Sequence, residues 1–386
     1  MKILTFDTEN TGALRNKANP FDPRNECVLL SYRDPDVGTT SIDPIDIDEF
    51  RQKVDTTDWI IGFNLKYDMH WGRRYGVSFK GKKLWDVQLV HFILTGQKNA
   101  YPSLNEVAEY YGLPCKLDVV KTEYWEVGLD TDQVPWDILL EYCEHDVWLT
   151  EQCARRQMQE YRNCSRQLQT TIRVALDDLH ALQEMEWNGF YYNQNRSFEE
   201  ASVLLERSGE IKQSLGTLTN TTELNINWGS TDQVSAVLYG GTVKRIENET
   251  YLFEYKDPRK QPVQKTRKVE KFYELPRIVA PAKGSELKKE GVWATNEGAL
   301  RSLKANKRVK VVIDLLLELA KLDKLVDTYF LGMPKKIEEY GWSDSFIHTN
   351  LSSCVTKTGR LASGKPNLQN IPSPNKICFE SRFKRK

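Results

Sequence analysis

Net charge is the first thing this chain lacks: 54 Lys and Arg balance 54 Asp and Glu, so the total names no polyanionic partner. It also lacks any apolar run near 18 residues, which argues against a membrane-spanning helix, and its first residues do not read as a secretory signal. The seven cysteines form no close Cys-x-x-Cys pair, so neither a zinc site nor a disulfide framework is signalled. The expectation is a soluble protein of a reducing, cytoplasmic compartment, without membrane contact. At 386 residues the chain exceeds one typical core, and two or three domains are expected.

What is present is unevenly spread. Residues 1–160 carry 27 acidic and 18 basic side chains, whereas residues 241–310 carry 18 basic and 9 acidic. The segment Ile3-Leu-Thr-Phe-Asp-Thr-Glu9 leads four strand-forming residues into two carboxylates. At a spacing of i, i+2 in an extended strand, Asp7 and Glu9 share one face. Two like charges that close are costly unless a cation lies between them, and Mg²⁺ or Mn²⁺ suits oxygen ligands. A strand that simply ends in a polar turn would read the same way, so this pair decides nothing alone.

Three further stretches add to it. Trp59-Ile-Ile-Gly-Phe-Asn64 reads as a strand ending at Gly62, with Asp68 in the first turns of a following helix. Asn64 and Asp68 are four apart and can face one cleft. Asp86 begins a helical pattern, and Ser103-Leu-Asn-Glu106 is a capping box that opens another. Trp136 to Thr150 reads as a helix on which Tyr142 and Asp146 stack one turn apart. Four acids therefore fall at the ends of separate elements. Such a set can hold two metals, one activating water and one stabilising a leaving oxygen. A phenol with a pKa near 10 is suited to orienting that water rather than taking its proton.

These motifs, Asp7-x-Glu9, Asn64-x-x-x-Asp68 and Tyr142-x-x-x-Asp146, resemble those of the DEDD superfamily of 3′–5′ exonucleases, in its tyrosine subclass. The histidine subclass places a histidine where Glu141 stands, and His145 reads as structural. The resemblance implies a ribonuclease H-like α/β domain over 1–165, with Asp7, Glu9, Asp68 and Asp146 on two Mg²⁺ (or Mn²⁺) ions. It also implies that Tyr142 orients water and that Asn64 faces DNA. An acidic metal-site domain ahead of a basic segment suits an enzyme that grips a polyanion with one part and cuts it with another.

Beyond it, apolar residues at helical spacing run from Ile172 to Met185, and a helix is expected near 197–214. Residues 241–283 alternate between Lys- and Arg-rich turns, as in a basic hairpin that is either a surface insertion or a duplex-following element. Val311 to Tyr329 reads as a long helix. Thr358-Gly-Arg360-Leu and Pro366-Asn-Leu-Gln-Asn-Ile-Pro372 resemble the signature that precedes the first catalytic aspartate of family A DNA polymerases, nearest to bacteriophage versions. Trp293-Ala-Thr-Asn296 and Ile347-His-Thr-Asn350 fit the same context.

By that resemblance, 166–340 is a helical linker and thumb and 341–386 the first part of a palm. Arg360 is expected near the primer end, with Gln369 and Asn370 on the template side. The family's polymerase aspartates and fingers have no counterpart in these residues, so the expectation is a proofreading exonuclease belonging to a split or truncated polymerase. Its expected partners are DNA, a second polypeptide and an accessory factor on the basic insertion, in a host cytoplasm if phage-encoded. A non-catalytic DNA-binding and assembly subunit and a stand-alone RNA exonuclease remain open alternatives.

Overall fold

The computed structural model describes residues 2–12, 18–255, 259, 261–342 and 345–381. Parts of the tip of the expected hairpin and of the expected palm segment lie outside the described residues. The chain forms two compact units, one of residues 1–194 with 333–386 and one of residues 195–332. The first unit therefore keeps the helix after residue 165, where the sequence placed a boundary.

In the first unit, β1 (Ile3–Asn10) is central to a five-stranded sheet with β2 (Cys27–Asp34), β3 (Gly38–Ile42), β4 (Trp59–Gly62) and β5 (Lys83–Asp86), ordered β3-β2-β1-β4-β5. The β1–β2 and β2–β3 pairs are antiparallel, whereas β1–β4 and β4–β5 are parallel. Leu4 and Phe6 are buried on one face of β1, which leaves Thr5, Asp7 and Glu9 for the other, as period-2 geometry requires. Between the strands lie α1 (Ile47–Asp55) and α2 (Leu65–Arg74), and after them α3 (Val87–Leu94), α4 (Leu104–Tyr110), α5 (Val119–Glu123), α6 (Trp136–Asn163) and α7 (Arg166–Asn188).

Local chemistry fixes the strand ends. At Gly62 a Cβ would lie 2.7 Å from Leu65 Cδ1, so a larger residue there would push the buried Leu65 side chain aside. Asn64 then takes a left-handed conformation (φ 54°), which Asn tolerates better than most residues, and the chain turns into α2. Asp86 accepts from the amides of Leu65 at 2.9 Å and Leu89 at 3.0 Å, so one carboxylate caps two helices. The expected capping box of Ser103 and Glu106 forms.

The helix expected from Ile172 onward is α7, but its buried stripe ends differently. Leu182, Gln183 and Glu186 face inward, and Met185 is 45% exposed. Gly189, with φ 62°, ends the helix where a Cβ would press on the His348 ring at 3.0 Å. The two-residue strand β6 (Phe190–Tyr191) follows.

The second unit contains α8 (Gln194–Thr219), α9 (Thr231–Tyr239), β7 (Gly241–Phe253), β8 (Val263–Leu275), α10 (Glu297–Arg301) and α11 (Lys307–Leu325). Its core gathers Ile211, Leu215, Leu238, Val312 and Leu316. β7 and β8 pair antiparallel in full register, giving the expected hairpin. Much of its basic charge is already answered across the strands: Lys244 pairs with Glu270, Arg267 with Glu249 and Lys271 with Glu247.

The chain then returns to the first unit through α12 (Gly332–Glu339), β9 (Phe346–Ile347), β10 (Asn350–Ser352) and β11 (Ala362–Gly364). β9 pairs with β6, and β10 with β11. No helix among the described residues is long and apolar enough to cross a membrane.

Candidate active site

Asp7 and Glu9 lie at the C-terminal end of β1, paired opposite Ser31 and Leu29 of β2. Asp68 comes from the first turn of α2, where its Oδ1 accepts from Thr8 Oγ1 at 2.6 Å. Tyr142 and Asp146 come from α6, and both are buried. The chain thus delivers four acids from three elements: Asp146 acts on Asp7 and Glu9, and Asp7 acts on Glu9 and Asp68.

Their ionisation records this crowding. Asp7 is pushed up to about 7, by burial first and then by Asp146. Glu9 is held well above the usual carboxylate range by burial, then by Asp7 and Asp146. Asp68 is raised by burial and Asp7 against the hydrogen bond from Thr8. Asp146 is raised by burial, although Lys116 opposes it. Burial also pushes the Tyr142 phenol above its ordinary value, so it is a hydroxyl at neutral pH.

The structure adds three groups that spacing did not reveal. Thr8, between the two β1 acids, fixes Asp68. Cys143 is buried with its Sγ within 4.8 Å of carboxylate oxygens of Asp7 and Glu9, and burial raises its thiol well above the ordinary value. Lys116 forms an ion pair with Asp146 and lies 4.9 Å from the centre of the Tyr142 ring. Cys143 follows Tyr142 directly in sequence, the one signal that could have pointed to it; nothing in the spacing pointed to Lys116. His145, expected to be structural, hydrogen-bonds through Nε2 to the Cys115 carbonyl at 3.0 Å.

Of the remaining expected residues, Asn64 lines a cleft of about 320 Å³ together with Lys66, Tyr101, Asn350, Ser363 and Lys365. Its side chain does not cap α2. Arg360, Gln369 and Asn370 are exposed on the segment around β11. Gln369 donates from Nε2 to the Leu361 carbonyl at 3.0 Å, and the Asn370 amide donates to Asn367 Oδ1 at 3.2 Å. The charged groups acting on the four acids are Lys116, His145 and one another; these loop residues are not among them.

A mixed α/β sheet that gathers buried carboxylates at one strand end defines a site of hard oxygen donors, the kind that suits Mg²⁺ or Mn²⁺. Comparison with known proteins shows what the chain is similar to. Residues 272–385 match the family described as DNA polymerase family A. It is 25% identical to DNA polymerase I of Synechocystis sp. over 80% of its own length, and 23% identical to the DNA polymerase of Escherichia phage T5 over 82%. It spans only 26% and 34% of those two relatives. A shorter match, 36% identical over 84 residues, is to a thermostable DNA polymerase I of Thermus filiformis. Among solved structures, a polymerase domain from M. smegmatis, in complex with DNA primer-template and dNTP, aligns over 96% of this chain and 52% of that one. Its TM-score is 0.60 and its identity 17%, a likeness of fold.

Proposed function

We propose that this chain is a metal-dependent 3′–5′ DNA exonuclease of the proofreading kind, attached to the first part of a family A polymerase. The observation that carries the reading is the convergence of Asp7, Glu9, Asp68 and Asp146 beside Tyr142. The five-stranded order around β1 is compatible with the ribonuclease H-like arrangement expected of that class.

The donor set fits divalent cations. The half-buried Asp7 and the buried Glu9, Asp68 and Asp146 gather with one lysine, and Asp146 Oδ1 is buried without a hydrogen-bond partner. Asp7, Glu9, Asp68 and Asp146 would hold two ions, Mg²⁺ or Mn²⁺. Such ions supply an activated water and charge neutralisation at a scissile phosphate. The chain's own groups do the rest. Thr8 holds Asp68 in place from β1. The Tyr142 hydroxyl orients the attacking water and, with its pKa raised, leaves proton removal to another group. Asn64, at the turn into α2, is assigned to the incoming strand.

Arg360, Gln369 and Asn370 are assigned to a primer-template, following the polymerase resemblance of their segment. A polypeptide beyond these residues, in the same chain or a second one, would complete a polymerase site. The hairpin of the second unit remains open as a docking place for an accessory factor. Its cross-strand ion pairs leave less charge for a duplex backbone than the sequence suggested.

The test uses a 5′-labelled single-stranded oligodeoxynucleotide with Mg²⁺. The expected result is a ladder shortening from the 3′ end, with deoxynucleoside 5′-monophosphates released and EDTA stopping the reaction. An RNA oligonucleotide of the same sequence should be cut more slowly. Binding without shortening would favour the non-catalytic assembly subunit instead.

A further inference from the structure

Lys116 is not carried to its position by any regular element. It lies in the loop between α4 and α5, and that loop is fastened at two points. The Lys116 amide donates to Asn105 Oδ1 at 2.7 Å, and the preceding Cys115 carbonyl accepts from His145 Nε2 at 3.0 Å. Asn105 belongs to α4 and His145 to α6, so two helices hold the backbone while the side chain reaches into the acidic site. The ammonium meets Asp146 and lies over the Tyr142 ring, 4.9 Å from its centre. Its side chain is 27% exposed against 3% for Asp146. The Lys116 side chain therefore reaches solvent in part, whereas the Asp146 side chain is buried.

Lys116 holds Asp146 through Oδ2, whereas Oδ1 is buried without a hydrogen-bond partner. A divalent ion on Oδ1 lies across one carboxylate from the ammonium, and two cations that close repel, so the ion weakens the hold of Lys116 on Asp146. Once moved, a flexible four-carbon stem with three donors finds its next anion in the phosphate of a nucleotide bound beside Tyr142. Resting on the exonuclease reading of the same site, we propose that Lys116 is a positioning residue that competes with a divalent cation for Asp146. Its transfer to the phosphate of a terminal nucleotide couples metal binding to occupancy by a 3′ end. The free site then holds metal weakly, and a seated 3′ end tightens it. Such coupling is reciprocal: metal raises affinity for the nucleotide by the same factor.

The experiment measures Mn²⁺ binding by electron paramagnetic resonance of the free ion, with and without thymidine 5′-monophosphate as the probe of the nucleotide position. The full chain is used as wild type, Lys116→Met, Lys116→Arg and Asp7→Asn. Wild type should bind Mn²⁺ about fivefold or more tightly when the nucleotide is present. Lys116→Met, which keeps the stem over the ring, should bind Mn²⁺ tighter by about that factor without nucleotide and lose most of the gain on adding it. Lys116→Arg should keep the wild-type pattern, and melting curves without metal establish that both variants fold.

Mn²⁺ affinities for Lys116→Met within about twofold of wild type, with the nucleotide gain intact, would overturn the inference. Asp7→Asn separates that failure from a larger one. If it weakens Mn²⁺ binding while Lys116→Met changes nothing, only the role of Lys116 is lost. If Asp7→Asn leaves Mn²⁺ binding unaltered, the metal-site reading fails and this inference with it.

Discussion

Replacing Glu186 by Gln removes one charge from a buried cluster without changing its volume, and the structure says what should follow. Glu186 lies on α7, 2% exposed. It forms an ion pair with Lys66, accepts the Leu351 amide and meets His70 Nε2 at 2.7 Å. Lys66 also donates to the Leu351 carbonyl at 2.7 Å. One carboxylate thus ties α2, which carries Asp68, to α7 and to β10.

In Glu186→Gln, the buried Lys66 ammonium loses its ion-pair partner and keeps only the charge of Asp86 nearby. Breaking a buried pair at one end costs about 3–5 kcal/mol. Lys66 has one escape: burial already lowers its pKa, so it can shed its proton, which places the loss toward the lower end of that range. At about 2–4 °C per kcal/mol for a unit of this size, the melting temperature of the first unit should fall by roughly 6–15 °C. Urea unfolding followed by hydrogen exchange at the Leu351 amide reports this unit by itself. The double substitution Glu186→Leu with Lys66→Met removes the unpaired charge but leaves the Leu351 amide and carbonyl without these partners, so it should recover only part of the loss. A Glu186→Gln protein within about 1 kcal/mol of wild type would refute the reasoning, because the pair would then contribute no more than an exposed one.

Further outcomes are expected at the acidic site. Asp7 titrates near 7 in the folded chain, against an ordinary 3.8, so the native state binds more protons than the unfolded one between those values. Metal-free stability should therefore fall as pH rises from about 4 through 7. Differential scanning calorimetry should find a shallower fall in Asp7→Asn, and Mn²⁺ should reduce it in wild type. Tyr142→Phe removes only a hydroxyl and should lower the shortening rate by about a hundredfold while leaving Mn²⁺ binding intact, measured in single-turnover assays. Thr8→Val deletes the donor to a buried carboxylate at 2.6 Å. It should weaken Mn²⁺ binding without unfolding the chain, seen in the same metal titration.

Much of the site could be read from local periodicity. Two residues along a strand put Asp7 and Glu9 together, and one helical turn joins Tyr142 to Asp146. The capping box at Ser103 and the stop at Gly62 are equally local. What could not be read depends on distant partners. Lys116 reaches Asp146 because Asn105 and His145 fasten its loop, and no spacing rule links those three positions. Glu186 left a faint trace, an acidic residue at the inward phase of α7 beside Leu182, but its partners Lys66 and Leu351 lie far away in sequence. The charge balance of the hairpin was hidden for a related reason. Composition counts lysines and arginines, whereas only the register of β7 against β8 shows Glu247, Glu249 and Glu270 opposite or beside them.

The most direct measurement follows a 5′-labelled primer with a mismatched 3′ nucleotide on a longer template in Mg²⁺, comparing wild type with Asp7→Ala/Glu9→Ala. The account predicts removal of the mismatched nucleotide by wild type, faster than that of a paired one, and none by the double mutant although it binds the same duplex. A wild-type chain that leaves the primer whole, or a double mutant that trims it as fast, would contradict the assignment of these acids.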